Sequence, residues 1–394
     1  MKLQTSSREL SRTLSIASKA ILAKNSLAIL DCVLMQCKDG KFTLTGGSDQ
    51  STVIVPVAIS ILEGKAQDFQ PIAIRANLIL PVITTLPETP LTITIDYESD
   101  GRGFMSIERI GGNMRIPFQN GSEYPLTATI DTPQIQLLNM PAQRVLSYIT
   151  TARPFCATDE LRMVMNGVYI DADAEKGEVR FVATDGHKMY RYIMPNRNTD
   201  GTPSYDYQSA EMKVGKILAS QFISPLPLAF SKCETIDFIA DDKQIIFRSG
   251  ETQCIIRCIE GRYPNYNAVI PANNEHTLVV NKKELTAAIK RVMIFASDAT
   301  QMVKLSKNGM FVTLTAEDID FATSAHEDVT AIDCTLPDNY HIGFKSTALL
   351  ECLSCVEGDE VLIQLSSPDR PMLIKENDPN SPLTCLVMPM LIQD

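Results

Sequence analysis

At 394 residues and 43.5 kDa the chain exceeds what one hydrophobic core usually organises, which predicts two or three domains and excludes a single small module. Apolar residues at 44% and charged residues at 21%, with 19 Gly and 22 Pro, exclude a disordered or collagen-like chain. The 36 basic and 47 acidic side chains leave a formal charge of -11, a field that repels polyphosphates at long range unless the cations are gathered on one face.

In chain order, the first element is an amphipathic helix with Leu10, Leu14 and Ala17 at i, i+4 and i+7. Residues 40–49 then read as a turn glycine, an alternating strand and an acidic turn. Residues 72–86 read as a short strand running into a helix, followed by strands at 91–96 and 114–118 and a connection at 125–138. The same order returns twice. The second pass has a helix on Val145, Ile149 and Ala152, a turn and strand at 177–185, a strand and helix at 212–226, strands at 236–240 and 254–259, and a connection at 271–276. The third has a helix on Leu285, Ile289 and Val292, then 309–318, 342–356, 361–365 and 384–388. A repeat of about 130 residues is a normal domain size. The pattern predicts an α+β fold of three repeated domains, 1–127, 137–271 and 277–394, each made of two half-units in which one helix lies on an antiparallel sheet.

The ten cysteines are too sparse for a secreted disulfide framework, and Cys37, Cys156, Cys233, Cys254 and Cys385 sit among strand-like apolar residues, so reduced, buried thiols are expected. Cys352 and Cys355 have CxxC spacing, but they lie in a helical stretch at 348–356 with no second Cys or His pair. His187, His276, His326 and His341 show no ligand spacing, so neither a metal nor any other cofactor is expected. There is no signal-peptide pattern and no apolar run of membrane-spanning length, which predicts a cytoplasmic protein with no membrane partner.

The acidic excess is not uniform. The leading helices and their flanks carry Arg8, Arg12, Lys19 and Lys24, then Arg144 and Arg153, then Lys282, Lys283, Lys290 and Arg291, with Glu9 and Glu284 the nearest acids. The second helical segments add Arg75, Lys213, Lys216 and Lys345. Any one of these reads as a solvated surface charge; their recurrence in one structural class points to phosphates. Phosphate contacts position a protein without reading sequence, and no aromatic-interleaved patch or paired Cys and His finger argues for base recognition.

Thr184-Asp185-Gly186-His187 places a carboxylate beside an imidazole, which suits acid and base chemistry. Asp185-Gly186 also lies between alternating segments at 179–183 and 188–192, a two-residue hairpin signal, and the turn reading is preferred. No phosphate loop, nucleophile elbow or zinc-protease helix is present, so the sequence argues against an enzyme. Two alternatives stay open: a hydrolase using Asp185 and His187 in a cleft, and a scaffold that binds peptides but no DNA.

Three stretches carry a resemblance: Ala183-Thr-Asp-Gly-His-Lys188, Glu260-Gly-Arg-Tyr-Pro-Asn-Tyr266 with residues 269–271, and Leu386-Val-Met-Pro-Met390. Together they are similar to the bacterial DNA polymerase III beta subunit, the sliding-clamp family, and the likeness runs the length of the chain. It implies a non-catalytic processivity factor, a head-to-tail homodimer that closes a ring around duplex DNA with helices inside and sheets outside. The DNA-facing cations would be Arg8, Arg12, Lys19, Lys24, Arg75, Arg144, Arg153, Lys213, Lys216, Lys282, Lys283, Lys290 and Lys345. The interface would join Met114 and Ile116 of one subunit to Ile294 and Phe295 of the other. The implied partners are the replicative polymerase, an ATP-driven clamp loader, and other polymerases and repair factors.

By the same resemblance, partners would dock short peptides in a pocket between the second and third domains. It would be formed by Met165, Thr184, Gly186, His187, Lys188, Met189, Pro264, Val269, Leu386, Met388, Pro389 and Met390. Its four methionines would make a soft groove for a peptide with a glutamine and paired Leu or Phe residues. Ala268 and Leu391 stand where the family often has Arg, Lys188 replaces a frequent Arg, and the tail at 391–394 runs slightly past the usual end. Peptide preference is expected to differ accordingly, because Lys lacks the planar fork of a guanidinium.

Overall fold

The computed structural model describes residues 1–392 apart from Ala128, Thr199 and Ala210, so Gln393 and Asp394 of the terminal extension lie outside the described residues. The chain folds as two compact units, Met1–Thr150 with Arg197–Ile259, and Thr151–Asn196 with Glu260–Asp394.

The first unit is built on a 14-stranded sheet whose pairings are antiparallel. Helix α1 (Ser7–Ser18) starts where the Ser6 side chain accepts from the Glu9 N–H at 3.1 Å, and buries Leu10, Thr13, Leu14 and Ala17. It lies so close to strand Lys41–Gly47 that a Cβ on Gly46 would sit 2.0 Å from the Ala17 carbonyl oxygen, so that position must be glycine. Helix α2 (Ala76–Thr84) packs beside α1 and tolerates Pro81 within it. Helix α3 (Ala142–Ala152) has Val145, Ile149 and Ala152 buried, as the spacing predicts. The helix expected within residues 212–226 is reduced to α4 (Leu226–Ala229), because Pro225 and Pro227 supply no N–H to extend the ladder backward.

In the second unit, α5 (Lys282–Val292) begins at Asn281, whose side chain accepts from the N–H groups of Lys283 and Glu284 at 3.0 and 3.1 Å. It buries Leu285, Ala288, Ile289 and Val292 and packs on α6 (Ser346–Cys355) and on strands Phe311–Asp318 and Thr323–Cys334. The turn glycines that head the three repeated strands, Gly40, Gly177 and Gly309, all have left-handed φ, at 78°, 62° and 59°.

Sheets run across the repeats. Strand Thr252–Arg257 pairs antiparallel with Ser51–Val57, and Leu383–Val387 pairs with Lys188–Pro195. The middle repeat is therefore shared: its strands within 167–195 complete the sheet of the third repeat, whereas Ile135–Pro141 and the strands within 235–257 join that of the first. The corresponding strand of the first repeat, Gly112–Asn120, pairs along its length with Gly103–Arg109 but on its other side meets Ile72–Arg75 only from Phe118 onward. Its outer edge at 112–117 is unpaired among the described residues. Thr323–Cys334 likewise pairs with Phe311–Asp318 through residues 323–330, and on its other side with His276–Asn281 only from Ala331 onward. Among the described residues, no helix is long and apolar enough to cross a membrane.

Candidate functional site

A cavity of about 310 Å³ in the second unit is lined by His187, Lys188, Met388, Pro389 and Met390, together with Asp185, Ala299, Thr300, Lys345, Thr347, Ala348 and Val387. The chain reaches it by a hairpin. Strands Glu178–Thr184 and Lys188–Pro195 are joined by Asp185, Gly186 and His187, a three-residue turn one residue longer than the sequence signal predicts. Asp185 Oδ1 accepts from the N–H groups of His187 and Lys188 at 2.8 and 2.9 Å, and Thr184 Oγ1 accepts from Gly186 N–H at 3.1 Å. Gly186 takes φ +90°, where a side chain would strain the turn. The carboxylate is thus occupied by backbone N–H groups that hold the turn, instead of orienting the imidazole.

The opposite wall is a stitched tail. Met388 N–H donates to the His187 carbonyl and Met390 N–H to the Gly343 carbonyl, both at 2.8 Å, while Pro389 between them has no N–H to satisfy. A Cβ on Gly343 would lie 2.9 Å from Met302 Sδ and 3.2 Å from the Met390 carbonyl oxygen, so glycine is what lets the tail close in.

Lys188 is not a free cation at the rim. Its side chain is 12% exposed; its ammonium pairs with Glu351 on α6 and donates to the Pro154 carbonyl at 2.8 Å. Met189 and Leu386 face each other in the strand pairing and are buried, so they are core beneath the groove and not its lining. Met165, Pro264 and Val269 lie in a neighbouring part of the same unit. Met165 is nearly buried at the end of the 3₁₀ segment Glu160–Met165, whereas Pro264 and Val269 are exposed. Arg162 of that segment donates to the Asp185 carbonyl at 2.6 Å and pairs with Asp159, tying it to the hairpin turn.

Sequence reasoning missed the buried network that seats the segment carrying Pro264 and Val269. Tyr266 donates to Asp171 Oδ2 at 2.5 Å, and Arg180 bonds Asp171 at 2.9 Å, Asp173 at 3.3 Å and Glu178. Burial opposes the charge on Arg180, but Glu178 and Asp171 outweigh it and hold the guanidinium above its ordinary value. Burial, reinforced by Asp171, pushes the Tyr266 phenol up. Tyr263 stacks on Tyr169 at 4.6 Å. The available signal was Asp171 and Asp173, two residues apart on one strand, with Arg180 on the next strand of the hairpin opposite Asp171.

Most of the expected DNA-facing cations are on exposed helix faces. Arg8 and Arg12 share the side of α1 opposite its buried stripe, and Lys283 and Lys290 that of α5. Arg12 pairs with Glu9 at 2.9 Å, Lys283 with Asp359 at 2.9 Å, and Arg8 approaches Glu88 at 3.7 Å. Lys19, Lys24, Arg75, Arg144, Arg153 and Lys213 are exposed, and Lys282 donates to the Val356 carbonyl at 2.7 Å. Two placements differ from expectation. Lys216 is buried, donating to Gln134 at 2.5 Å, because its strand position points inward. Lys345, at the junction of strand His341–Lys345 and α6, lines the methionine cavity. Of the expected interface residues, Ile294 is 77% exposed and Phe295 40%, Met114 is half-buried, and Ile116 is already packed in its own core, alternating with exposed Arg115 and Pro117.

All ten cysteines are free thiols, and no metal-binding cluster is present among the described residues.

Residues 267–391 match the family described as the DNA polymerase III beta subunit, C-terminal domain. The chain is 24% identical over 408 residues to the beta sliding clamp of Synechocystis, covering 99% of each chain. It is 24% identical over 388 residues to that of Lactococcus lactis, covering 96% of each. The sliding clamp (DNA polymerase III subunit beta) of Bartonella birtlesii bound to griselimycin has the same fold, with a TM-score of 0.86 at 22% identity over 100% of both chains. The Helicobacter pylori beta clamp bound to a DNA ligase peptide gives 0.85 at 17%, again over 100% of both. One match is confined to the last third and the others run the whole length, so the chain is similar to the bacterial beta sliding clamps and shares their fold.

Proposed function

We propose that this protein is the processivity factor of a DNA polymerase: two copies close head to tail into a ring on duplex DNA and hold polymerases there by short peptides. The observation that carries it is the repeated helix-on-sheet half-unit with cations on the uncovered side of α1 and α5 in an otherwise acidic chain. Such a face attracts phosphates without reading bases, which suits sliding. A closed ring need not grip, because leaving requires opening. A tethered polymerase stays near its primer end at an effective concentration on the order of millimolar, so brief detachment is followed by rebinding.

The two unpaired edges, 112–117 and 323–330, support the dimer. At both other repeat junctions the corresponding strand edges are joined to each other, and pairing the remaining two between copies would leave no junction edge unpaired. The methionine groove suits a glutamine-containing peptide with Leu or Phe anchors, and the ligase-peptide complex of the Helicobacter pylori clamp supports that class of occupant. Opening would fall to a separate ATP-driven loader, and the site of action would be the cytoplasm.

The direct test is retention on DNA after loading. Retention on circular but not linearised duplex, with a solution mass twice 43.5 kDa, is the expected result. Equal loss from both templates, or a monomer, would overturn encirclement.

A further inference from the structure

The methionine groove holds a cation that the fold leaves unmatched. Of the Lys and Asp side chains that line it, Asp185 is engaged by the N–H groups of His187 and Lys188, and the Lys188 ammonium by Glu351 and the Pro154 carbonyl. Lys345 lines the same cavity and is exposed, and its ammonium has neither an ion-pair nor a hydrogen-bond partner among the described residues. Its place is fixed by the backbone. Lys345 ends strand His341–Lys345, pairs with Met302, and passes at φ -69° and ψ 119° into α6, where the Ser346 N–H donates to the Gln301 carbonyl at 2.9 Å. Thr300 and Thr347, from the two segments joined by that bond, also line the groove, and their hydroxyls have no hydrogen-bond partner among the described residues. The equivalent corner of the first unit lacks the charge. There Ile259 N–H donates to the Ile217 carbonyl at 3.0 Å as Met390 N–H does to Gly343, which sets Ala219, the last residue of strand Lys213–Ala219, in the place of Lys345. The cation is therefore not a requirement of the repeated backbone.

We propose that Lys345 selects partner peptides that carry an Asp or Glu beside their apolar anchors, an inference that rests on the groove being a peptide site. The reason is charge balance. A peptide covering the groove takes water from the Lys345 ammonium, and a desolvated cation without a partner is less stable than an exposed one. A carboxylate on the peptide offsets that loss, and the Thr300 and Thr347 hydroxyls can donate to its oxygens; a lysine at the same place adds like-charge repulsion. Lys188 cannot take this role, because Glu351 already neutralises it. Met388 and Met390 in the same lining make the ligand an apolar segment bearing a carboxylate, and not a bare phosphate.

The test uses the full-length protein and fluorescence anisotropy of labelled peptides with blocked ends. Each peptide holds a glutamine and paired Leu and Phe residues, with Asp, Asn or Lys placed in turn at each remaining position. At one position or more, wild type should bind the Asp peptide roughly fivefold tighter than its Asn counterpart at low salt and the Lys peptide more weakly still, a spread that narrows as salt is raised. Lys345→Gln should bring the ratio of Asp to Asn affinities within about twofold of unity, and Lys345→Glu should favour the Lys peptide. No Asp preference in wild type, or one that survives in Lys345→Gln, would overturn the proposal. So would a preference that appears only after residues 393 and 394 are removed, since Asp394 of the same chain would then be the counter-charge. Failure of wild type to bind any of the peptides would refute the groove reading itself, and the selectivity would fall with it.

Discussion

The two units contain the same junction built with different chemistry. In the first, the turn Ser48–Gln50 is held by Ser48 Oγ, which accepts from the Ser51 N–H at 3.2 Å, and Arg257 N–H donates to the Gln50 carbonyl at 2.8 Å. In the second, Asp185 holds the turn and Met388 N–H donates to the His187 carbonyl at the same 2.8 Å. Arg257 and Met388 are therefore equivalent backbone positions, each just past a cross-repeat strand pairing. The cavity at the first junction, about 530 Å³, is lined by Asp49, Asp241, Lys243 and Arg257 together with Leu27, Leu30, Pro125 and Leu126; the second has Met388, Pro389 and Met390 together with Asp185, Lys188 and Lys345. The backbone repeats while the residue at the tail position changes from Arg257 to Met388. An apolar anchor gains from desolvation against Met388, Pro389 and Met390 and would strip water from the Arg257 guanidinium at the first junction.

The sharpest contrast concerns buried cations. Arg180 in the second unit neutralises three carboxylates, whereas Lys216 in the first meets one amide and lies 3.6 Å from the exposed Asp242. Arg180→Ala leaves buried acids unpaired and should cost about 3–5 kcal/mol. Lys216→Ala should cost about 1–3 kcal/mol, the loss of a hydrogen bond to a charged group. Urea unfolding midpoints compare them, and a smaller loss for Arg180→Ala would break the distinction.

The groove itself gives the next effect. Met388→Arg copies the first junction's chemistry into the second and should weaken peptide binding roughly 30- to 100-fold, a hot-spot loss of about 2–3 kcal/mol. Arg257→Met should leave peptide affinity unchanged. Equal responses would show that the two cavities are not chemically distinct.

Glycines sharpen the comparison on a smaller scale. Gly40→Ala in the first unit meets no atom within 4 Å but has φ +78°, so it should cost about 1–2 kcal/mol through backbone strain alone, with peptide binding intact. Gly186→Ala has similar strain and would place its Cβ 2.8 Å from Arg162 Nη1, displacing the bond to the Asp185 carbonyl. A comparable stability loss accompanied by a severalfold loss of peptide affinity is expected. Unchanged affinity would remove Arg162 from the positioning of the turn.

What could be read beforehand followed from local periodicity. The stripes on Leu10, Leu285 and their partners located α1 and α5, and the repeated Gly40, Gly177 and Gly309 marked turns that adopt left-handed φ. The register of 384–388 and 114–118 was recoverable to within two residues at each end. Long-range partners were not. Nothing within ten residues of Lys188 announces Glu351, and alternation alone could not say that Lys216 is covered while Lys213 is exposed. Met189 and Leu386 belong to groove motifs in sequence, yet their side chains fall on the buried face of the pairing that supports the groove. The Glu260–Tyr266 stretch was recognisable as a motif, but its seating on Asp171 and Arg180 depends on a strand pairing that no local pattern encodes.

The smallest effect compares single cations on the proposed DNA-facing helices. Reversing Arg8, Arg12, Lys283 and Lys290 together should impair loading and retention with the fold intact. Their individual shares should be unequal. The Lys283 ammonium is matched by Asp359 at 2.9 Å, whose carboxyl it holds below the usual range, and Arg12 by Glu9, whereas Lys290 has no ion-pair partner among the described residues. A phosphate approaching Lys283 or Arg12 must compete with a carboxylate already in place, so fewer counterions are released there than at Lys290. Lys290→Ala should lower the slope of log K against log salt for duplex binding by about one, with the melting temperature unchanged. Lys283→Ala and Arg12→Ala should lower it less. Equal slopes for all three would mean that the intramolecular pairs dissolve on the duplex, so that each cation counts in full.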